Sequence, residues 1–298
     1  MASCTIDGDG RIKRVVLRNS AGASCEALSY GAHVTSFKQP GGQELLFMSS
    51  LAALDGKKAI RGGIPICFPN FGPDPVLGNH GFARISMWAV EASTDGETAT
   101  ACFTLHDNAH TRSIYPHKFR LIYSVTLSAT SSLQCTLTII NLGEQPLQMQ
   151  ALFHNYLSCD IESTAISGFS GLSYFNKVVQ QAEKEGRTTI SIAQETDNVY
   201  FSAPSEVVLH RGTKPAISIR RVSPSIGDTT LWNPWEEKTK TSFDDLEEGD
   251  HRCFVCVEPG VGLVAGEARP VVGPGARFTF SQVLKAANRG GEGARAGL

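Results

Sequence analysis

The stretch from Phe119 to Ile139, FRLIYSVTLSATSSLQCTLTI, decides the fold class. Phe119, Leu121, Tyr123, Val125 and Leu127 recur at every second position, and after a polar connection Leu133, Cys135, Leu137 and Ile139 do the same. A period of two puts each set on one face of a strand, so the stretch reads as two half-buried strands joined by a turn. Further β-type runs flank it at 206–211, 216–222, 229–232, 253–258 and 277–284. Toward the N-terminus, RIKRVVLRN, EALSYGAHVTSF and ELLFMS read as short strands separated by Asn19, Gly22, Pro40, Gly41 and Gly42. Helical signals are few. The best is Asn233 followed by Pro234, an N-cap residue before a proline at the first helical position, leading into WEEKTKTSFDDLEEGD. A dozen or so strands without alternating helices exclude a doubly wound α/β protein. They predict an all-β fold, a large antiparallel β-sandwich with few short helices. One domain is expected over residues 1–285, with the Gly/Ala/Arg-rich segment 286–298 as a disordered tail.

The 298 residues carry a formal net charge of −2, which argues against nucleic acid or an anionic membrane surface as the main partner. No apolar run approaches a membrane span, and no secretory leader is evident. The expected location is cytoplasmic. The terminal Ala296-Gly297-Leu298 has a faint likeness to a peroxisomal signal but lacks its central basic residue, which leaves a peroxisome-like organelle as the alternative. Eight cysteines spread through such a chain read as reduced thiols. Cys253 and Cys256 form a CxxC, but in a strand an odd separation puts the two side chains on opposite faces, and no second CxxC completes a zinc site. The histidines show no HExxH spacing and the glycines around 260–266 no dinucleotide motif, so neither a metal nor a cofactor is expected.

Between Arg61 and Arg84 the chain reads RGGIPICFPNFGPDPVLGNHGFAR, with five Gly and four Pro. Such a segment can hardly be regular helix or strand. Its Ile64, Ile66, Phe68, Phe71 and Phe82 nevertheless demand burial, so it reads as an ordered, packed loop that presents Arg61 and Arg84 to an anion. The strand Leu147–Tyr156 has one apolar face, and a second carrying Gln148, Gln150, His154 and Tyr156, which suits the wall of a polar pocket or a solvated sheet face. Glu258 closes an apolar strand before a Pro-Gly turn, as a pocket carboxylate or a turn cap. Asp197 falls at a turn before a short aromatic strand.

Taken in order, Arg61-Gly62-Gly63-Ile64-Pro65, Phe68-Pro69-Asn70-Phe71-Gly72, His80-Gly81-Phe82-Ala83-Arg84, Phe153-His154-Asn155-Tyr156, Asp197, Trp232-Asn233-Pro234-Trp235 and Val257-Glu258 resemble the glucose-6-phosphate 1-epimerases of the aldose 1-epimerase superfamily. The resemblance spans about residues 10 to 285 and implies a galactose-mutarotase-like sandwich. It implies that His154 is a general acid and Glu258 a general base, and that Arg61, Asn79, Arg84 and Asp197 bind the substrate. Asn79 stands where relatives usually carry Gln, and Asn155 where they often carry Thr. The implied partner is a small-molecule hexose 6-phosphate, handled by a monomer. On this reading Glu258 is ionised, and Asp197 nearby raises the His154 pKa so that the imidazole is protonated. His80 falls to packing or support. A free-aldose mutarotase and a non-catalytic sugar-phosphate binder are the competing readings.

Overall fold

The computed structural model describes residues 1–8, 10–224, 227–264 and 269–287. Phe119–Leu127 and Leu133–Asn141 pair antiparallel, with Leu127 opposite Leu133 and Phe119 opposite Asn141. Every second side chain of the hairpin is buried, as the period of two requires. Around it an antiparallel nine-stranded sheet is ordered Thr189–Ile190, Thr164–Ser167, Glu206–Arg211, Lys214–Ser223, Arg277–Ala287, Leu133–Asn141, Phe119–Leu127, Thr98–His106, Ala89–Asp95. The second large sheet has eight strands. Gln181–Lys184, Ser173–Asn176, Thr196–Ala203, Gly227–Asn233, Phe254–Val261, Ala151–Phe153 and Ile66–Cys67 follow one another, and Tyr156–Ser158 also pairs with Phe254–Val261. The two sheets meet through aromatic side chains. Phe153 of the eight-stranded sheet stacks on Phe280 of the nine-stranded one at 4.6 Å and lies 5.8 Å from Tyr123. A four-stranded sheet, Ser3–Asp7, Arg14–Arg18, Ser24–Leu28 and His33–Lys38, adds its buried Val15, Leu17 and Phe37 to the same core.

The large antiparallel sandwich is the expected class, with local differences. ELLFMS forms isolated bridges, Lys38 to Glu44, Leu46 to Leu157 and Met48 to Gly62, rather than a strand. Helix Trp235–Ser242 begins one residue later than expected, with Pro234 at the cap itself and the Asn233 side chain accepting from the Trp235 amide at 2.8 Å. A second helix, Ala109–Ile114, was not foreseen, although Asn108 and Thr111 form a reciprocal capping box that the sequence displays. The last strand runs through Ala286 and Ala287, two residues into the segment assigned to the tail, and 288–298 lie outside the described residues. The eight cysteines are free thiols. No helix among the described residues is long and apolar enough to cross a membrane.

The stretch 147–158 is not one strand. It breaks into Leu147–Gln148, Ala151–Phe153 and Tyr156–Ser158. In the second break Asn155 turns inward, fully buried, and exchanges two amide hydrogen bonds of 2.8 Å with Gln282 of the opposite sheet while also donating to the Val257 carbonyl. This pair ties the eight-stranded sheet to the nine-stranded one at the residue next to His154. Replacing Asn155 by Ala leaves the Gln282 amide buried without its partner, and is expected to cost about 1–3 kcal/mol. The midpoint of urea unfolding reads that loss.

Candidate active site

The loop from Arg61 to Arg84 is ordered, as expected, although it includes the two-residue strand Ile66–Cys67 and a 3-10 turn, Ala83–Ile85, that carries Arg84. Phe68 and Phe82 pack on Phe119, and the Trp88 indole donates to the Ala83 carbonyl at 3.0 Å. Two of its glycines allow close approach. A Cβ at Gly63 would lie 2.1 Å from the Val34 carbonyl oxygen and one at Gly81 2.2 Å from that of Phe68, and both residues have positive φ. The loop therefore forms a fixed rim over the eight-stranded sheet.

Under that rim is a cavity of about 360 Å³, within the range of small-molecule sites. It brings together all six residues singled out from the sequence: Arg61, Asn79, Arg84, His154, Asp197 and Glu258. The ladder explains the floor. Tyr156 opposes Cys256 and Leu152 opposes Gly260, which carries His154 and Glu258 to facing positions between them. Nδ1 of His154 lies 3.4 Å from Oε1 of Glu258, with the two side chains 7 % and 1 % exposed. The imidazole stacks on Tyr156 at 4.7 Å and meets the edge of Trp232 at 5.6 Å.

The electrostatics differ from the sequence expectation. Burial pushes the His154 pKa well below the ordinary imidazole value, reinforced by the neighbouring His80 ring and the positive charges of Arg84 and Arg61. Burial likewise pushes Glu258 well above the ordinary carboxylate value, with Asp197 adding to the rise. Asp197 does not sit by the imidazole to hold it protonated. It belongs to strand Thr196–Ala203 rather than to a turn, opposite Trp232, and pairs with Lys177 at 3.1 Å. Burial thus disfavours the charged form of both the imidazole and the carboxyl.

The rim is cationic. Arg61 is committed, with Nε on Asp245 at 2.9 Å, a terminal nitrogen donating to the Tyr156 hydroxyl at 2.9 Å and the guanidinium over the Phe243 ring at 4.5 Å. Arg84 is not neutralised by a carboxylate among the described residues. One terminal nitrogen donates to the Asn79 carbonyl at 2.9 Å, and its buried Nε has no hydrogen-bond partner there. The Asn79 backbone thus orients Arg84, and Asn79 is itself among the residues that line the cavity. Lys58, Lys177 and Lys238 complete the cationic lining, and sequence reading missed all three. Nothing marks them in the text. Lys177 is placed by register, its backbone N–H donating to the Asp197 carbonyl at 2.8 Å.

The expected polar wall is sorted differently. Gln150 braces the loop, accepting from the Phe71 amide at 3.0 Å and donating to the Gly262 carbonyl at 2.6 Å, and Gln148 is exposed on the short strand against Val271–Val272. His80 takes the place those residues were given. Its Nδ1 accepts from the Gly72 amide at 3.1 Å, so the neutral ring carries its proton on Nε2, and its ring meets that of His154 edge-on at 5.6 Å.

Fold and pocket define an antiparallel sandwich with a buried imidazole–carboxyl pair beneath a cationic rim. The chain belongs to the aldose 1-epimerase family, whose model matches residues 13–285. A protein of Cenchrus ciliaris provisionally named glucose-6-phosphate 1-epimerase is 32 % identical over 260 residues, covering 83 % of this chain and 78 % of its own. One of the same provisional name from Salmonella typhimurium is 32 % identical over 235 residues, covering 76 % of each chain. Among solved structures, a provisionally assigned mutarotase from Salmonella typhimurium superposes with a TM-score of 0.85 at 24 % identity, over 96 % of this chain and 94 % of its own. Galactose 1-epimerase from Lactobacillus acidophilus gives 0.75 at 13 % identity, over 97 % and 99 %.

Proposed function

We propose that the chain interconverts the α and β anomers of D-glucose 6-phosphate by acid–base ring opening and closure, with His154 and Glu258 as the proton carriers and Arg61, Asn79, Arg84 and Asp197 as substrate contacts. The observation that carries this reading is the pairing, in one cavity, of a buried imidazole–carboxyl floor with a rim whose Arg84 lacks a carboxylate partner among the described residues. Opening the ring takes the proton from the C1 hydroxyl and gives one to the ring oxygen. Both oxygens are bonded to C1, so two carriers on facing strand positions are suitably spaced. The aldehyde then rotates about the C1–C2 bond, and closure reverses both transfers. One proton on the pair suffices at every stage, and no net charge is moved. Each carrier is typically worth about 10² to 10⁴ in rate. The C6 phosphate stays out of this chemistry and supplies binding energy through the guanidinium groups.

Two-dimensional exchange spectroscopy on equilibrated glucose 6-phosphate tests the reading. Cross-peaks between the anomeric protons must grow with added protein, more strongly than for free glucose. No growth on either sugar would leave a binder, and equal growth on both would leave a free-aldose mutarotase.

The pH dependence has a definite sign. Adding a proton to the pair creates buried positive charge and removing one creates buried negative charge, so both steps are pushed away from neutrality. At saturating substrate, kcat is expected to stay level through the ordinary imidazole value of about 6.5. It should fall only further into acid, where His154 and Glu258 are both protonated, and in alkali, where the shared proton leaves. A fall in kcat centred at the ordinary imidazole value would contradict the shared-proton state.

A further inference from the structure

The sequence pairs Cys256 with Cys253, three residues away, but the strand pairs it with Glu258. Cys253 lies in the turn before the strand, whereas Cys256 and Glu258 are two residues apart within Phe254–Val261 and share a face. The fully buried Cys256 belongs to the apolar cluster with Tyr156 and Trp232 beside the cavity. Its Sγ, an imidazole nitrogen of His154 and a carboxylate oxygen of Glu258 all lie within 4.8 Å of one another. Three of the donor atoms here, His154 Nδ1 and both Glu258 oxygens, are buried and have no hydrogen-bond partner among the described residues. The proton-transfer chemistry gives the thiol no part.

We propose that His154, Cys256 and Glu258 form a binding site for a thiophilic divalent cation, zinc above all, whose occupation stops anomer exchange. Thiolate, imidazole and carboxylate are the donor set of tetrahedral zinc sites, and three protein ligands leave a fourth position open. The ligand atoms must close up slightly, which short rotations of the side chains provide. Charge favours the complex. A dication with one thiolate, one carboxylate and a neutral imidazole is neutral overall, which suits a buried site better than any of its ions alone. Arg61, Arg84 and Lys177 oppose the approach of a cation, and the two anionic ligands must offset them. The inhibition, though not the binding, rests on the reading of His154 and Glu258 as proton carriers, because a metal on both leaves neither free to move a proton.

Cobalt(II) is the probe, because a thiolate–cobalt bond gives a near-ultraviolet charge-transfer band that nitrogen and oxygen ligands alone do not. Titrating Co²⁺ into the full chain, freed of metal with a chelator, is expected to produce this band at one equivalent per chain. Zn²⁺ should displace it, and exchange of glucose 6-phosphate, present in large excess over metal, should fall in step. Cys253→Ser keeps the band and Cys256→Ser loses it, each variant's exchange being compared with its own metal-free rate. Should Cys256→Ser not fold, Glu258→Gln must bind Co²⁺ at least about 10-fold more weakly, since it loses an anionic ligand. Absence of the band overturns the proposal, as does a band that survives Cys256→Ser or vanishes with Cys253→Ser, or unweakened binding by Glu258→Gln. A band without inhibition would uphold the metal site and overturn the acid–base assignment instead, so the two readings fail separately.

Discussion

Replacing Glu258 by Gln is expected to reduce anomer exchange by about 10² to 10⁴, the worth of one general catalyst, while leaving the fold intact or more stable. The amide preserves shape and burial but cannot take up and return a proton, so the shared-proton cycle with His154 at 3.4 Å is broken. The effect on stability follows from linkage. Burial raises the Glu258 pKa in the folded chain, so its most favourable contribution is made in acid, where it is protonated. That contribution is lost as pH rises from the unfolded value through the raised folded one. An uncharged isostere escapes the loss, and the unfolding temperature of Glu258→Gln at pH 8 should equal or exceed that of the parent. His154→Ala should lower exchange by a similar factor, but it also removes the ring stacked on Tyr156 and so costs stability. Activity lost together with the cooperative unfolding transition of Glu258→Gln would point to a structural carboxyl. Exchange within a few-fold of the parent in either variant would remove the pair from the mechanism. Anomeric proton exchange and thermal unfolding, measured on the same samples, separate these outcomes.

The residues of this pair were legible in the sequence, but their state was not. Alternation exposed the long strands because each has one face in the core, and 206–211 was read with its observed ends. It failed at 147–158, where the chain changes neighbours twice in twelve residues: Leu147–Gln148 pairs with Val271–Val272, Ala151–Phe153 lies between Ile66–Cys67 and Phe254–Val261, and Tyr156–Ser158 pairs with Phe254–Val261. Short pieces of this kind leave too few positions for a period to show. The protonation of His154 and Glu258 was misjudged for a related reason. Depth of burial sets it, and depth belongs to the packed sheets rather than to the residue types. The partner of Asp197 was hidden too, since Lys177 lies twenty residues earlier and only the register of two neighbouring strands brings them together.

Arg84→Ala is expected to raise KM for glucose 6-phosphate by about 10- to 150-fold, corresponding to one charge-assisted hydrogen bond at about 1.5–3 kcal/mol, with kcat little changed. Free glucose, which has no anion at C6, should be handled almost as before. Arg84 is the sharper of the two arginine tests because of what each guanidinium already holds. Arg61 spends donors on Asp245 and Tyr156, and its removal would leave Asp245 buried without its counter-charge, confusing lost binding with lost stability. Arg84 donates to a backbone carbonyl and leaves no carboxylate unpaired among the described residues, so its truncation subtracts positive charge from the rim and little else. Arg84→Lys should recover part of the loss, because an ammonium keeps the charge but not the planar fork. Ionic strength offers an independent check: salt should weaken capture of the phosphorylated sugar by the parent more than by Arg84→Ala. If Arg84→Ala slows glucose and glucose 6-phosphate equally, the arginine orients the ring or the loop, and the phosphate must be sought at Lys58, Lys177 or Lys238 instead.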